Sequence, residues 1–559
     1  MYDLLIRGAL VADGLGGPLQ EADVAVAEGR IAAVGDCGRA ARQVVDAGGL
    51  VVSPGIIDIH THYDAQLTWD VTASPSPALG ATTVVIGNCG FGIAPCPAAA
   101  RDLVARNLSA VEGMPLEALS AGIVWDFESF PQYLELLRSR RAYPNVAAFI
   151  GHSPVRSAVM GEAASERAAS DDEVAAMTAL VRDGLRAGAI GFASSTSENH
   201  NGHGGVPMPS RLAAEGETRA LVGALGDAGR GLFQITVGPA TTVAFLESLA
   251  AATGRPVVLS ALFHNEAFPD RAAAALEACR QAQGRGRELY AQVSCQPLAM
   301  DFTLANAYPL YSLEAWQALM GAPPEVLAAT LREPGFRDRF RAGLATPRRG
   351  KLFYGDWRRV EVALAARPEH AELEGLNIAE IAGRQRRDPV DVFFDLALAE
   401  DLATHYSAKL LNVDEAAVEP LLKHEASLIS LSDAGAHLAH MCDAGFGLRL
   451  LGYWSRERGV FGLGEAVHEL TARPAAVYRL ADRGRIAAGA WADLMLFDPA
   501  RVGVSAPLRR HDLPGGASRL VREAQGLHGV WVNGVQVFDG RDYLPLDPPP
   551  GRVLDSFLS

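Results

Sequence analysis

The amino-acid sequence predicts a TIM-type (β/α)8 barrel, with a small composite β-sandwich drawn from both termini and an insertion between the seventh and eighth barrel strands. Three observations point there. The centre of the chain alternates strand-like apolar runs with helix-like stretches such as 171–188 and 271–284. Both ends have a different texture of short Val- and Ile-rich segments broken by glycine, as in LLIRGALVAD near the start and GVWVNGVQVFDG near the end. One interval late in the centre, about residues 300–425, is far longer than an ordinary crossover and contains apparent helices of its own. The expected division is therefore 1–54 and 481–559 for the two parts of the sandwich and 55–480 for the barrel.

Eight runs supply the barrel strands: 55–60, 82–87, 145–151, 189–194, 232–237, 256–262, 289–294 and 426–431. Most lack alternation, as expected of parallel strands covered on both faces. The interval at 300–425 reads equally well as a lid over the barrel mouth or as a stabilising decoration.

The chain has 559 residues, 49% hydrophobic and 21% charged, which suits a large globular domain with a smaller companion. Its net charge is −15, from 50 basic and 65 acidic residues, and no Lys/Arg cluster offsets it. Phosphate backbones are repelled by such a surface, so nucleic acid is not an expected partner. The six cysteines, Cys37, Cys89, Cys96, Cys279, Cys295 and Cys442, are scattered and fit a reducing compartment. No signal-like start and no long uncharged apolar run is evident, so a cytoplasmic protein with no membrane partner is expected. Homo-oligomerisation is left open.

The chemistry-bearing residues cluster where a TIM barrel places its active site, after the C-terminal ends of its strands. His60 and His62 follow the first strand in PGIIDIHTHYD. Alternate residues share a strand face, so both imidazoles can meet one divalent ion. Asp433 follows the eighth strand in SLISLSDAGAH, where a carboxylate can bind a metal and accept a proton from water; taken alone it would read as a helix N-cap, but opposite a His-x-His at the other end of the same barrel that reading loses. Cys89, in VVIGNCGFG after the second strand, is either a thiolate ligand or a buried structural cysteine. His152 and Arg156 after the third strand, His200 and His203 after the fourth, and His264 after the sixth are further candidates at the mouth, although each histidine taken alone reads first as a polar loop residue. Arg156 is a candidate clamp for a substrate carboxylate, with a solvated surface arginine as the alternative. His437 and His440 lie one helical turn apart after Asp433, and His437 could donate to a developing oxyanion.

These motifs resemble the amidohydrolase superfamily and, within it, the D-aminoacylase (N-acyl-D-amino-acid deacylase) family. The resemblance runs from DLLIRGALVADG through PGIIDIHTHYD, TTVVIGNCGFG, GAIGFASS and LSDAGAH to the closing RIAAGAWADLMLFDP. It implies a zinc-dependent barrel with a composite β-sandwich that hydrolyses the amide of an N-acyl-D-amino acid, with Cys89 as a metal ligand and Asp433 as the catalytic carboxylate. The family also carries metal-binding histidines at strands five and six. Here strand five reads GLFQITVG, with Thr236 near the expected position, and strand six reads LSALFHNEA, offering only a displaced His264. The family's arginine soon after the catalytic aspartate is also missing, and Arg449 is the first to follow. One or two divalent ions, zinc foremost, and a small amide substrate are expected. The rival readings are cyclic-amide or lactone opening or deamination on the same barrel, and a catalytically silent, ligand-binding barrel.

Overall fold

A computed structural model describes every residue except Arg39, Ala240, Arg349 and Ser559. The apolar runs of the centre form one eight-stranded parallel sheet whose order follows the chain. We label its strands β1 (Ile56–Asp58), β2 (Ala81–Ile86), β3 (Asn145–Gly151), β4 (Gly191–Ser195), β5 (Leu232–Thr236), β6 (Val257–Leu262), β7 (Leu289–Val293) and β8 (Ser427–Ile429). Each lies within or close to one of the eight expected intervals. The sheet curls until β8 meets β1. The ring closes just beyond the strand ends: Thr61 bridges Ala434 in parallel register, the His62 amide donates to the Ala434 carbonyl at 2.7 Å, and the Ser432 hydroxyl donates to the His60 carbonyl at 3.0 Å. The fold is a TIM-type barrel.

Why these runs make a barrel is visible in their burial. Val84 and Ile86 of β2 face the large core shared with the helices. Val85 between them faces a second cluster, with Ile57, Phe149, Ala193, Leu232, Val258 and Leu428 contributed by strands all round the ring. A strand apolar on both faces has to be covered on both, and ring closure with an outer layer of helices provides this. The helices begin and end on local signals. Asp171–Ala187, for example, opens on a Ser170/Glu173 capping box and ends at Gly188 in the left-handed region.

The two ends of the chain form a separate sheet. Val51–Pro54 pairs antiparallel with Leu494–Phe497, joining the strands of residues 2–46 to Leu527–Val532 and Val535–Phe538. The long excursion after β7 has its own three-stranded antiparallel sheet, with His405–Leu411 between Leu298–Phe302 and Val360–Leu364. Its own aromatic core includes Trp316, Phe340, Phe394 and Tyr406. The excursion is shorter than the expected 300–425, because helix Glu415–Leu422 buries Val418, Leu421 and Leu422 in the barrel's core.

Candidate metal centre

Four side chains converge at the C-terminal mouth of the barrel. The β1 strand delivers His60 and His62, whose ring centroids lie 5.3 Å apart. From the turn after β2 comes Cys89, its Sγ 3.4 Å from His60 Nε2 and 4.0 Å from His62 Nε2. The turn after β8 brings Asp433, its Oδ1 3.1 Å from His60 Nε2 and 3.5 Å from His62 Nε2. His60, His62 and Cys89 form the one group of three or more potential ligands with mutually adjacent donor atoms among the described residues.

The backbone around these groups is unusual. Cys89, Leu431, Asp433 and His437 all take positive φ without being glycine. Such residues cost roughly 1 kcal/mol or more each and gather where surroundings hold a functional geometry. Glycine is required beside them: a Cβ on Gly90 would lie 2.6 Å from the Ala193 carbonyl oxygen, and one on Gly435 would lie 2.6 Å from that of His62.

A ring of buried partners orients the cluster. Gln292 on β7 bonds His60 Nδ1 through its Oε1 at 2.6 Å, leaving Nε2 turned towards the centre. Glu112, at the end of helix Arg101–Glu112, faces His62 as a buried counter-charge, with Oε1 3.1 Å from Nδ1. Gln234 on β5 accepts from the Cys89 amide at 3.0 Å, and the Thr236 hydroxyl donates to Cys89 Sγ at 3.1 Å. Thr236, which stands where the resembling family has a histidine, therefore contacts the thiol. Neither Glu112 nor the two glutamines were singled out from the sequence. Gln234 and Gln292 did leave a signal, a lone amide inside an otherwise apolar barrel strand; Glu112 sits in a helix and left none.

Charge balance tests whether a cation fits. Burial pushes the His60 imidazolium down, yet the Cys89 thiolate and the Asp433 carboxylate together raise it to about 10. His62 is raised well above its usual range by Glu112, Asp433 and Cys89 against the same burial. Burial pushes Asp433 and Cys89 up, and the two imidazoles more than reverse this, so both favour the ionised form. Anions of oxygen and sulfur thus surround a centre that calls for positive charge. A divalent cation, replacing the imidazole protons, fits a donor set of two imidazoles and one thiolate, with the Asp433 carboxylate beside the two imidazoles.

The cluster opens into a cavity of about 220 Å³. His437 lines it, ring-to-ring with Tyr308 at 5.5 Å and with Nδ1 lacking a partner. His200 also lines it, packed on Phe91, and burial lowers its pKa to about 3. Leu298, Met300, Tyr308, Leu352 and Leu411 of the excursion form part of the wall. His203 and His440 line a neighbouring cleft instead.

Three expected substrate contacts are corrected. His152 and Arg156 are fully buried and do not reach this cavity. Glu217 draws both inward: His152 Nε2 lies 2.8 Å from its Oε1, and Arg156 Nη1 donates to the same oxygen at 2.6 Å. Arg156 also donates to the carbonyls of Ala164 and Arg167, which leaves no fork for a ligand. His264 is buried, its amide held by Asn412 at 2.6 Å, while its neighbours Phe263 and Asn265 form the cavity wall.

Comparison with known proteins shows the family. A family model described as "Amidohydrolase family" matches residues 43–538. A D-aminoacylase of Alcaligenes xylosoxydans xylosoxydans is 31% identical over 572 residues, covering 99% of this chain and 97% of that protein. An N-acyl-D-glutamate deacylase of the same organism is 31% identical over 563 residues, with 99% and 96% covered. The crystal structure of N-acyl-D-glutamate deacylase from Bordetella bronchiseptica, complexed with zinc and a phosphonate mimic of the tetrahedral intermediate, superposes with a TM-score of 0.68. It is 27% identical, with 99% of this chain and 100% of that chain covered.

Proposed function

The chain belongs to the amidohydrolase family, and from that premise we propose that it is a metal-dependent hydrolase of the amide bond of N-acyl-D-amino acids or closely related small amides. The observation that carries this reading is the convergence of His60, His62, Cys89 and Asp433 at the mouth of a closed barrel. A divalent ion, zinc foremost, would be held by His60, His62 and Cys89 with Asp433 beside it, and would supply Lewis acidity towards an amide carbonyl and a lowered pKa for water.

The protein's own groups account for the rest. Asp433, held ionised, accepts a proton from water as it attacks the amide carbon, and returns it to the departing nitrogen as the C–N bond breaks. His437, at the cavity wall, is placed to donate to the oxyanion that develops on the former carbonyl oxygen. Gln292 keeps His60 in one tautomer and one orientation, and Glu112 sets a negative charge beside His62. The excursion wall keeps bulk water from the bond being cut. This donor set argues against a silent barrel. Residues 1–54 and 481–559 serve as a supporting sheet and 55–480 as the catalytic unit. The six buried, unpaired cysteines favour a reducing, cytoplasmic setting. Among the described residues no helix is long and apolar enough to cross a membrane.

The test is metal content by mass spectrometry, read with release of free amine from N-acetyl-D-amino acids. Wild type should bind metal and release amine; the double variant His60→Ala/His62→Ala should do neither. Equal metal in both proteins would refute the site.

A further inference from the structure

The wall of the catalytic cavity is mainly apolar. Phe91, Leu262, Phe263, Met300, Leu352 and Met441 line it, drawn from the β2 turn, the β6 end, the excursion and the segment after β8. Charge on the wall is sparse and uneven. Among the described residues, Arg271 and Lys351 are its only Lys or Arg side chains. Lys351 is already committed: it is 2% exposed, and its ammonium donates to the carbonyls of Gly343, Leu344 and Thr346 at 3.0, 2.8 and 2.6 Å. An ammonium has three N–H donors, so none is left for a ligand.

Arg271 differs. It opens helix Arg271–Gly284 after β6, is exposed, and has no carboxylate paired with it among the described residues. The wall also carries Glu198, an exposed carboxylate after β4, in addition to Glu112 and Asp433 of the metal cluster.

We infer that this enzyme selects N-acyl-D-amino acids with one carboxylate and an apolar side chain, that Arg271 is the group that binds the carboxylate, and that the acidic substrates named for two of its relatives, N-acyl-D-glutamate and N-acyl-D-aspartate, are excluded. The inference rests on the proposed hydrolysis and deepens it. A substrate with a single carboxylate finds one free guanidinium, whose fork matches a carboxylate in two hydrogen bonds. An apolar side chain finds wall of its own kind. A second carboxylate would enter apolar surroundings with no cation left to meet it and with Glu198 nearby, and an unpaired charge leaving water is strongly disfavoured. The role expected of Arg156 from sequence thus passes to an arginine on another element.

The experiment compares kcat/KM for N-acetyl-D-leucine, N-acetyl-D-methionine, N-acetyl-D-glutamate and N-acetyl-D-aspartate on metal-loaded wild type, Arg271→Ala and Arg271→Lys. N-acetyl-D-leucinamide, which lacks the carboxylate, is the control. Wild type should prefer leucine and methionine over both acidic substrates by about 100-fold or more. Arg271→Ala should raise KM for N-acetyl-D-leucine by about 10- to 100-fold with kcat little changed, the loss expected when a charged hydrogen-bonding partner is removed. Arg271→Lys should recover part of that loss, and the leucinamide should be indifferent to both variants. Equal or better turnover of the acidic substrates overturns the selectivity, and an unchanged KM in Arg271→Ala overturns the assignment of Arg271. Should metal-loaded wild type turn over none of these compounds, the functional reading itself falls and takes this inference with it.

Discussion

Replacing Glu112 with glutamine isolates one charge in the metal cluster. Glu112 and His62 are both buried, 3% and 5% exposed, and their Oε1 and Nδ1 lie 3.1 Å apart. Burial raises the Glu112 carboxyl, but His62 more than compensates and holds it below its usual range, so the carboxylate is charged at neutral pH. Glutamine keeps the size and one acceptor oxygen, so the imidazole keeps its orientation and the fold should survive. What is lost is the negative charge that makes Nε2 a stronger donor to a cation. Removing a partner of this kind typically costs 10–100-fold in metal affinity, which is roughly 1.4–2.7 kcal/mol. The assay is a zinc titration against a chromophoric chelator at fixed pH, with thermal unfolding of the metal-free proteins as control. Glu112→Gln should weaken zinc by that factor while metal-free stability changes little. Gln292→Glu, which adds charge behind the other histidine, should not weaken it. An unchanged zinc affinity in Glu112→Gln would show that the carboxylate does not tune the centre, and that its contact with His62 is packing alone.

Two further outcomes follow from buried charge elsewhere. Glu217 balances the fully buried Arg156 and also bonds His152, so Glu217→Gln leaves a guanidinium without its counter-charge. It should cost about 3–5 kcal/mol in urea unfolding; a loss below about 1 kcal/mol would mean that the network is not needed for stability. Asp443 is buried, and that burial raises its carboxyl to about 7 against the pull of Arg522. A carboxyl whose folded pKa lies above its unfolded value binds more protons in the native state, so its contribution to stability declines as pH rises from about 4 to 7. Asp443→Asn should therefore gain stability relative to wild type on going from pH 5 to pH 8, by at most about 3 kcal/mol for a shift of this size. A difference between the two proteins that stays flat across that range would refute the assignment.

The barrel was legible because parallel strands buried on both faces leave continuous apolar runs, and the runs at 145–151 and 232–237 begin where the strands do. Side chains that follow strand ends were legible for the same reason: once β1, β2 and β8 are placed, His60, His62, Cys89 and Asp433 have to lie at the mouth. The helical and loop contributions were not. Nothing in the local text of His152 and Arg156 shows that Glu217, on a different helix, turns them inward. Likewise Glu112 and Arg271 lie on helices, where the side chain that reaches the cavity depends on how the helix is rotated against the sheet. That rotation is set by packing across the whole core and is not written in the residues around either position.

Asp433 is proposed as both a metal contact and the base of an amide hydrolysis, and Asp433→Asn separates the two roles. Asparagine keeps the shape and one oxygen but cannot take a proton. With metal content and turnover of an N-acyl-D-amino acid measured on the same preparations, the variant should fold and retain much of its metal. Its kcat should fall by about 10²–10⁴-fold with KM changed far less. A variant that binds metal and turns substrate over within a few-fold of wild type would contradict it.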